Sequence, residues 1–416
     1  MKKMPSPLHH LDDIVTGGMC IGCGLCESVA GTEHVQMRMT PEGRLRPRTL
    51  RPLSDTTLAT IDRTCPGSTV SGLPDDLHDA DTTIDDIWGP YRSVVRAYAA
   101  DPDVRFRGST GGVLTALALH LLESGSVEFI AHVSADPEQP MRSIAHVSET
   151  RSDVLAAAGS RYGPAAPMTH ISTLLEREQP FAFIGKPCDV TALRNLATVD
   201  DRVDRFCHFM LTLVCGGASE LGKSTDVLDA LGIDEEELSL FRYRGYGNPG
   251  RTRIETRDGR AEELEYNDMW ADENTWRIQY RCKVCPDAIG EAADVAASDL
   301  WPGGGPTGED AGFNGVITRS SAGSRLLADA EAAGALMVDQ QLTPRSLDEA
   351  QPHQVRKKRA VASRLDALHD AGRRVPVVSG LRIRTLAETR SERERADEYA
   401  ATASRVADGQ FREPPA

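Results

Sequence analysis

Cys20, Cys23 and Cys26 recur at every third residue in Cys20-Ile-Gly-Cys23-Gly-Leu-Cys26, and no other feature so restricts what this chain can fold into. Three thiols in one tight loop converge on a single centre with little intervening chain. The glycines at 22 and 24 let the backbone curl closely around that centre. Cysteine triplets of this spacing belong to iron–sulfur ligation, so the loop predicts a [4Fe–4S] cluster. A structural zinc site is the competing reading, since it also takes four cysteines, but it usually takes them from two paired CxxC knuckles.

A cubane cluster needs a fourth thiolate. In bacterial ferredoxins the run continues with three residues and a Cys-Pro whose cysteine serves another cluster; here Ala30 stands in that slot. Cys65-Pro66 has the right local form and is the expected fourth ligand. A second group centres on Cys282-Lys-Val-Cys285-Pro286, which offers two ligands from one turn. Cys188, in Gly185-Lys-Pro-Cys188, follows a predicted strand, and Cys215 closes another. Strand ends share a sheet edge, so these two are placed to converge with the CxxC loop. The alternative is that Cys188 and Cys215 are small buried hydrophobes. Cys207 has no comparable setting and reads as structural.

The 416 residues allow two or three domains, and 40% apolar with 26% charged residues is a soluble globular balance. No apolar run is long enough to cross a bilayer. The start is basic without an apolar stretch after it, so no secretory signal is expected and the chain is read as cytoplasmic. The nine cysteines are therefore expected as reduced thiols rather than disulfides. A formal charge of −15 argues against a nucleic-acid surface.

Residues 1–88 are loop-rich and short of apolar stretches, a small unit that needs a metal centre as a staple, with a hinge expected near 85–90. Strands are predicted at 93–99, 129–133, 181–184, 209–214, 295–301 and 315–318. Helices are predicted at 112–123, 172–177 and 190–196, and Asp258-Gly259 within 251–266 signals a hairpin. Beyond about 346 the chain turns polar, and 382–410 reads as a charged amphipathic tail. The fold class expected is mixed α+β, in four parts: 1–88, a ferredoxin-like iron–sulfur unit; 89–170, with a flavin loop; 171–340, with the second cluster; and 341–416, a helical extension.

Gly108-Ser109-Thr110-Gly111-Gly112 opens an apolar helix, where Ser109 or Thr110 can cap the first turn and free N–H groups suit an anion. Ser160-Arg161-Tyr162 offers a hydroxyl, a guanidinium and an aromatic plane. Arg242 and Arg244, on an alternating strand, would face one side, which fits either a shared anion or a solvated strand face. These segments, in order, resemble the beta-subunit family of coenzyme F420-reducing hydrogenases and F420-linked dehydrogenases. That family includes the plant 7-hydroxymethyl chlorophyll a reductase and the ferredoxin-dependent divinyl chlorophyllide reductase. The likeness rests on Arg107-Gly-Ser-Thr-Gly-Gly112, Gly159-Ser-Arg-Tyr162, Gly185-Lys-Pro-Cys-Asp189, Phe241-Arg-Tyr-Arg-Gly245 and Cys282-x-x-Cys-Pro-Asp287 with Gly290-Glu291 and Ala293-Asp294.

The resemblance implies FAD, held near Arg107, Ser109, Thr110, Gly111, Gly112, Ser160, Arg161, Tyr162, Lys186, Arg242, Arg244 and Asp299. It also implies a cluster on Cys188, Cys215, Cys282 and Cys285, beside the one on Cys20, Cys23, Cys26 and Cys65. The expected function is an oxidoreductase joining a one-electron carrier such as ferredoxin to a small-molecule substrate. Two alternatives stand beside it: an F420-linked dehydrogenase or hydrogenase subunit with coenzyme F420 as co-substrate, and an adaptor relaying electrons to a partner redox subunit. No proton donor is singled out, His170 and His208 being candidates by chemistry alone. No nucleic acid or membrane is expected as partner, and a homo-oligomer is left open.

Overall fold

A computed structural model describes residues 11–414; the basic start at 1–7 lies outside the described residues. A mixed eight-stranded sheet forms the centre. Its strands are β1 (Ser93–Ala99), β2 (Phe129–Ala135), β3 (Ser143–Ser148), β4 (Phe181–Gly185), β5 (Cys207–Leu213), β6 (Val295–Asp299), β7 (Asn314–Thr318) and β8 (Leu336–Gln341). Across the sheet the order is β8-β1-β7-β6-β5-β4-β2-β3. β2, β4, β5 and β6 are mutually parallel, and β1 runs the same way because both β1 and β6 are antiparallel to β7. Five strands therefore bring their carboxyl ends to one edge. Ligands of open α/β sheets collect at such an edge.

Alternate residues of these strands face opposite layers. Ile130, Ala182 and Leu211 pack under α1 (Val113–Glu123), and Phe129, Phe181, Phe183 and Met210 pack under α2 (Pro187–Ala197). With both faces covered, the central strands are almost wholly apolar: Phe181, Ala182, Phe183, Val295 and Ala296 are fully buried. All six predicted strands fall on strands of this sheet, and the predicted hairpin pairs Thr252–Thr256 with Ala261–Leu264.

The N-terminal unit has a helix Leu25–Ala30, a hairpin of Val35–Met39 with Leu45–Thr49, and a helix Asp55–Thr64 whose first turn is capped by Ser54. The expected hinge near 85–90 is instead a packed junction. Trp88 is fully buried among Val94, Ile289, Leu347 and Leu386, and its Nε1 donates to Asp348 at 2.8 Å. A large aromatic ring in a linker gains too much by burial to stay outside.

The expected charged tail is likewise part of the body. Helix α3 (Pro352–Asp370) packs against Ile383–Glu388 and α4 (Glu392–Ala407). Val377–Ser379 pairs in parallel with Thr69–Ser71, just past Cys65. Val361, Leu365, Ile383, Val406 and Phe411 share one core with Ile14, Val15, Met19, Cys20, Tyr280 and Val284. Among the described residues no helix is long and apolar enough to cross a membrane.

Candidate functional site

Eight of the nine cysteines line two cavities. Cys20, Cys23, Cys26 and Cys65 line the first, with Ile14, Leu25, Met37, Pro47 and Ile61 as apolar wall. Cys188, Cys215, Cys282 and Cys285 line the second, with Lys186, Gln279, Arg281 and Lys357. Ile21 borders both. The second group assembles as the strand directions require. Parallel β4 and β5 end together at the sheet edge, delivering Cys188 in the first turn of α2 and Cys215 beyond β5. Cys207, by contrast, is buried among Phe181, Phe183 and Val203 and lines neither cavity.

The donor set suits iron–sulfur clusters. All nine cysteines are free thiols. Among the described residues, each cavity is lined by four cysteines and no histidine. Backbone N–H groups point at sulfur: Gly22 to Cys20 Sγ at 3.4 Å, Gly67 to Cys65 Sγ at 3.3 Å and Ala218 to Cys282 Sγ at 3.3 Å. Gly22 and Gly24 have φ of 71° and 87°, as the tight loop requires.

Burial raises the Cys20, Cys23, Cys26, Cys188 and Cys282 thiols and pushes Cys65 and Cys215 up to about 12; neighbouring thiols add to the rise in most of them. Thiolates in such surroundings need positive charge beside them, which a bound metal centre would supply. Lys186 is one fixed source. Burial opposes its charge, but Asp189, bonded to its Nζ at 2.7 Å, and then Cys188 hold it above the usual lysine range.

The predicted flavin residues gather at the same edge, with different partners than expected. Neither Ser109 nor Thr110 caps α1. Gly112 occupies the N-cap position with φ 73°, and Asn314 Oδ1 accepts from Val113 N at 3.3 Å, because β7 starts beside that turn. Thr110 donates to Asp299, and Ser160 donates to Ser109 at 2.8 Å. Arg161 is spent internally, on the carbonyls of Pro140, Met141, Arg142 and Phe241 and on Ser143 Oγ.

The strand carrying Arg242 ends at that residue, so the alternation expected to continue to Arg244 stops there. Arg242 stacks on Tyr246, 4.0 Å from its centroid, and Arg107 lies over the same ring at 5.8 Å. Arg244 is 3% exposed and reaches Asp299 at 3.2 Å, Tyr162 Oη at 3.1 Å and Ser109 O at 2.6 Å. Gly111 is held tight, for a Cβ there would meet Asn314 Oδ1 at 2.8 Å. The surface left for a flat polar cofactor is half-buried. It comprises the Ser109 and Ser160 hydroxyls, Tyr162 against Trp270 at 4.3 Å, and Asp299. These are hydroxyl, aromatic and carboxylate groups that could face a flavin.

α3, which reads in the sequence as a polar extension, lies along this whole edge. Gln351 donates to Asp299 O at 2.7 Å and Gln354 to Cys215 O at 2.9 Å. Lys358 donates to Pro286 O at 3.0 Å and pairs with fully buried Glu291, which Arg382 also pairs. His353, between them in sequence, is drawn down to about 4 by burial and then by Lys357 and Arg356. His170 and His208 are exposed.

Two stretches of the chain match the family described as coenzyme F420 hydrogenase/dehydrogenase, beta subunit: residues 94–172 match its N-terminal part and residues 179–342 its C-terminal part. The first cysteine group and α3 lie outside both stretches. The F420-dependent formate dehydrogenase 1 subunit beta of Methanococcus maripaludis is 29% identical over 247 residues, 57% of this chain and 58% of that protein. The coenzyme F420 hydrogenase subunit beta of Methanothermobacter thermautotrophicus is 25% identical over 255 residues, 60% of this chain and 84% of that one. The coenzyme F420-dependent sulfite reductase of Methanocaldococcus jannaschii is 25% identical over 250 residues, 55% of this chain and 35% of that protein. A chain of the F420-reducing [NiFe] hydrogenase complex from Methanosarcina barkeri has a similar fold, with TM-score 0.53 and 20% identity over 68% of this chain and 96% of that one.

Proposed function

The chain belongs to the coenzyme F420 hydrogenase/dehydrogenase beta-subunit family, and on that footing we propose an iron–sulfur flavoprotein oxidoreductase that passes electrons between a ferredoxin-like carrier and a small molecule. The observation that carries this reading is the sorting of eight cysteines into two cavities with Ile21 between them. In this reading Cys20, Cys23, Cys26 and Cys65 hold one [4Fe–4S] cluster, and Cys188, Cys215, Cys282 and Cys285 hold another. FAD sits at the sheet edge against Ser109, Ser160, Tyr162 and Asp299. Flavins handle electrons in pairs and clusters singly, so the two together link organic chemistry to one-electron carriers.

The chain's own residues do the positioning. N–H groups of Gly22, Gly67 and Ala218 share the negative charge of the thiolates they face. Thr110 and Arg244 hold the Asp299 carboxylate while Gln351 bonds its backbone carbonyl, so the side chain keeps one orientation at the edge. α3 ties down the Cys215 and Pro286 carbonyls beside the second cavity.

A second reading has its own support, for all three relatives named above carry coenzyme F420 in their names. There, reduced F420 replaces the small molecule or the carrier, and the chain works beside a partner redox subunit. Stopped-flow mixing of anaerobic, flavin-loaded protein with reduced ferredoxin or reduced F420 separates the two. Bleaching by ferredoxin alone supports the first, and bleaching by F420 the second. Protein that releases no flavin on acid treatment, with neither donor oxidised, overturns both.

A further inference from the structure

Arg281 precedes Cys282, yet its guanidinium spans both cysteine groups. One nitrogen donates to Pro66 O at 3.1 Å, beside Cys65, and another to Val284 O at 3.4 Å, between Cys282 and Cys285. It is 2% exposed and lines the second cavity. Yet its hydrogen bonds go to carbonyls only, its buried Nε has no partner, and among the described residues no carboxylate pairs with it. Of the other two cations lining that cavity, Lys186 is answered by Asp189 at 2.7 Å, and Lys357 is half-exposed with its Nζ 3.4 Å from Gly216 O.

A guanidinium stays charged in any surroundings, and a buried charge without a counter-charge is costly. Four thiolates around a [4Fe–4S] core carry net negative charge, which is what Arg281 lacks. We infer that Arg281 is the common counter-charge of the two cages, holding both clusters at less negative potentials than they would otherwise have and softening the repulsion between electrons placed on them. This rests on the proposal that both cysteine groups carry clusters. A positive charge favours the reduced, more negative state of each cluster, so removing it lowers both potentials.

The test is a potentiometric titration of the anaerobic full-length protein followed by electron paramagnetic resonance, with iron counted in every sample. Arg281→Gln should move both midpoints to more negative values at unchanged iron content, and Arg281→Lys, which keeps the charge, should leave them near those of the parent. If the Gln variant keeps its iron and its potentials do not move, or only one moves, the inference is wrong while the two-cluster reading stands. If the Gln variant loses iron, the Lys variant decides. Full iron and parental potentials support the charge, whereas iron loss there too assigns Arg281 to holding the Pro66 and Val284 carbonyls and overturns the inference. A parent protein with iron in only one cage would instead remove the reading on which the inference rests.

Discussion

Glu291→Gln isolates a fully buried ionic link between the family-matched body and the C-terminal segment. Glu291 is fully buried, and both Lys358 of α3 and Arg382 pair with it. Lys358 is itself 3% exposed and also grips Pro286 O, next to Cys285. Glutamine keeps the shape and removes the charge, leaving two cations facing one neutral amide. Removing one side of a buried ion pair costs about 3–5 kcal/mol. Much of that cost is recovered when the segment carrying Lys358 and Arg382 swings open, so it weighs on local opening more than on the whole fold. At about 1.4 kcal/mol per factor of ten, the open fraction should rise roughly 10²- to 10³-fold. Limited proteolysis of the C-terminal segment reads that fraction when reclosing is fast relative to cleavage. Pairing the change with Lys358→Met, which removes a cation as well, should recover part of the loss. A cleavage rate within tenfold of the parent would refute the reasoning, because the segment would then be held by its apolar contacts alone.

Three further outcomes are expected. Gly24→Ala puts a Cβ 2.5 Å from Thr169 Cγ2 at a φ of 87° and should halve the iron content by emptying the first cage, whereas Cys207→Ala should leave iron unchanged. His132 is lowered to about 4, first by burial and then by His146, while an unfolded imidazole titrates near about 6.5. The unfolded chain therefore binds the extra proton between those values, and stability falls as pH drops through that window by about 1.4 kcal/mol per unit. Urea midpoints of His132→Asn against pH should show a correspondingly flatter acid limb; equal slopes would count against it. Arg244→Met strips Asp299 of its buried partner and should lower both the urea midpoint and the flavin recovered on acid release.

Whatever repeats on a short period or clusters within a few residues is legible in the sequence. The apolar runs of β4, β5 and β6 announce buried parallel strands, and their shared direction brings Cys188 and Cys215 toward the Cys282 loop. β3 and β8 escape because edge strands are polar: β8 carries Asp339, which binds Arg96 at 2.8 Å. The C-terminal segment misleads for a related reason. Lys358 and Arg382 look like surface charge in the sequence, and only the fold brings them to Glu291, 67 and 91 positions away. Arg46 meets Glu413 across 367 positions, with no local signal to predict it. Arg161, Arg242 and Arg244 read as anion binders because an arginine's partner cannot be inferred from spacing. In the fold, backbone carbonyls stand beside Arg161, an aromatic ring beside Arg242 and Asp299 beside Arg244.

The most direct measurement of the central claim is iron and acid-labile sulfide per chain in anaerobically prepared protein, with Cys65→Ala and Cys215→Ala beside it. Two cages predict two full cubanes in the parent and the loss of one in each variant, with the other cage intact. Zinc in place of iron, or a parent with no more iron than its single-cage variants, would contradict it.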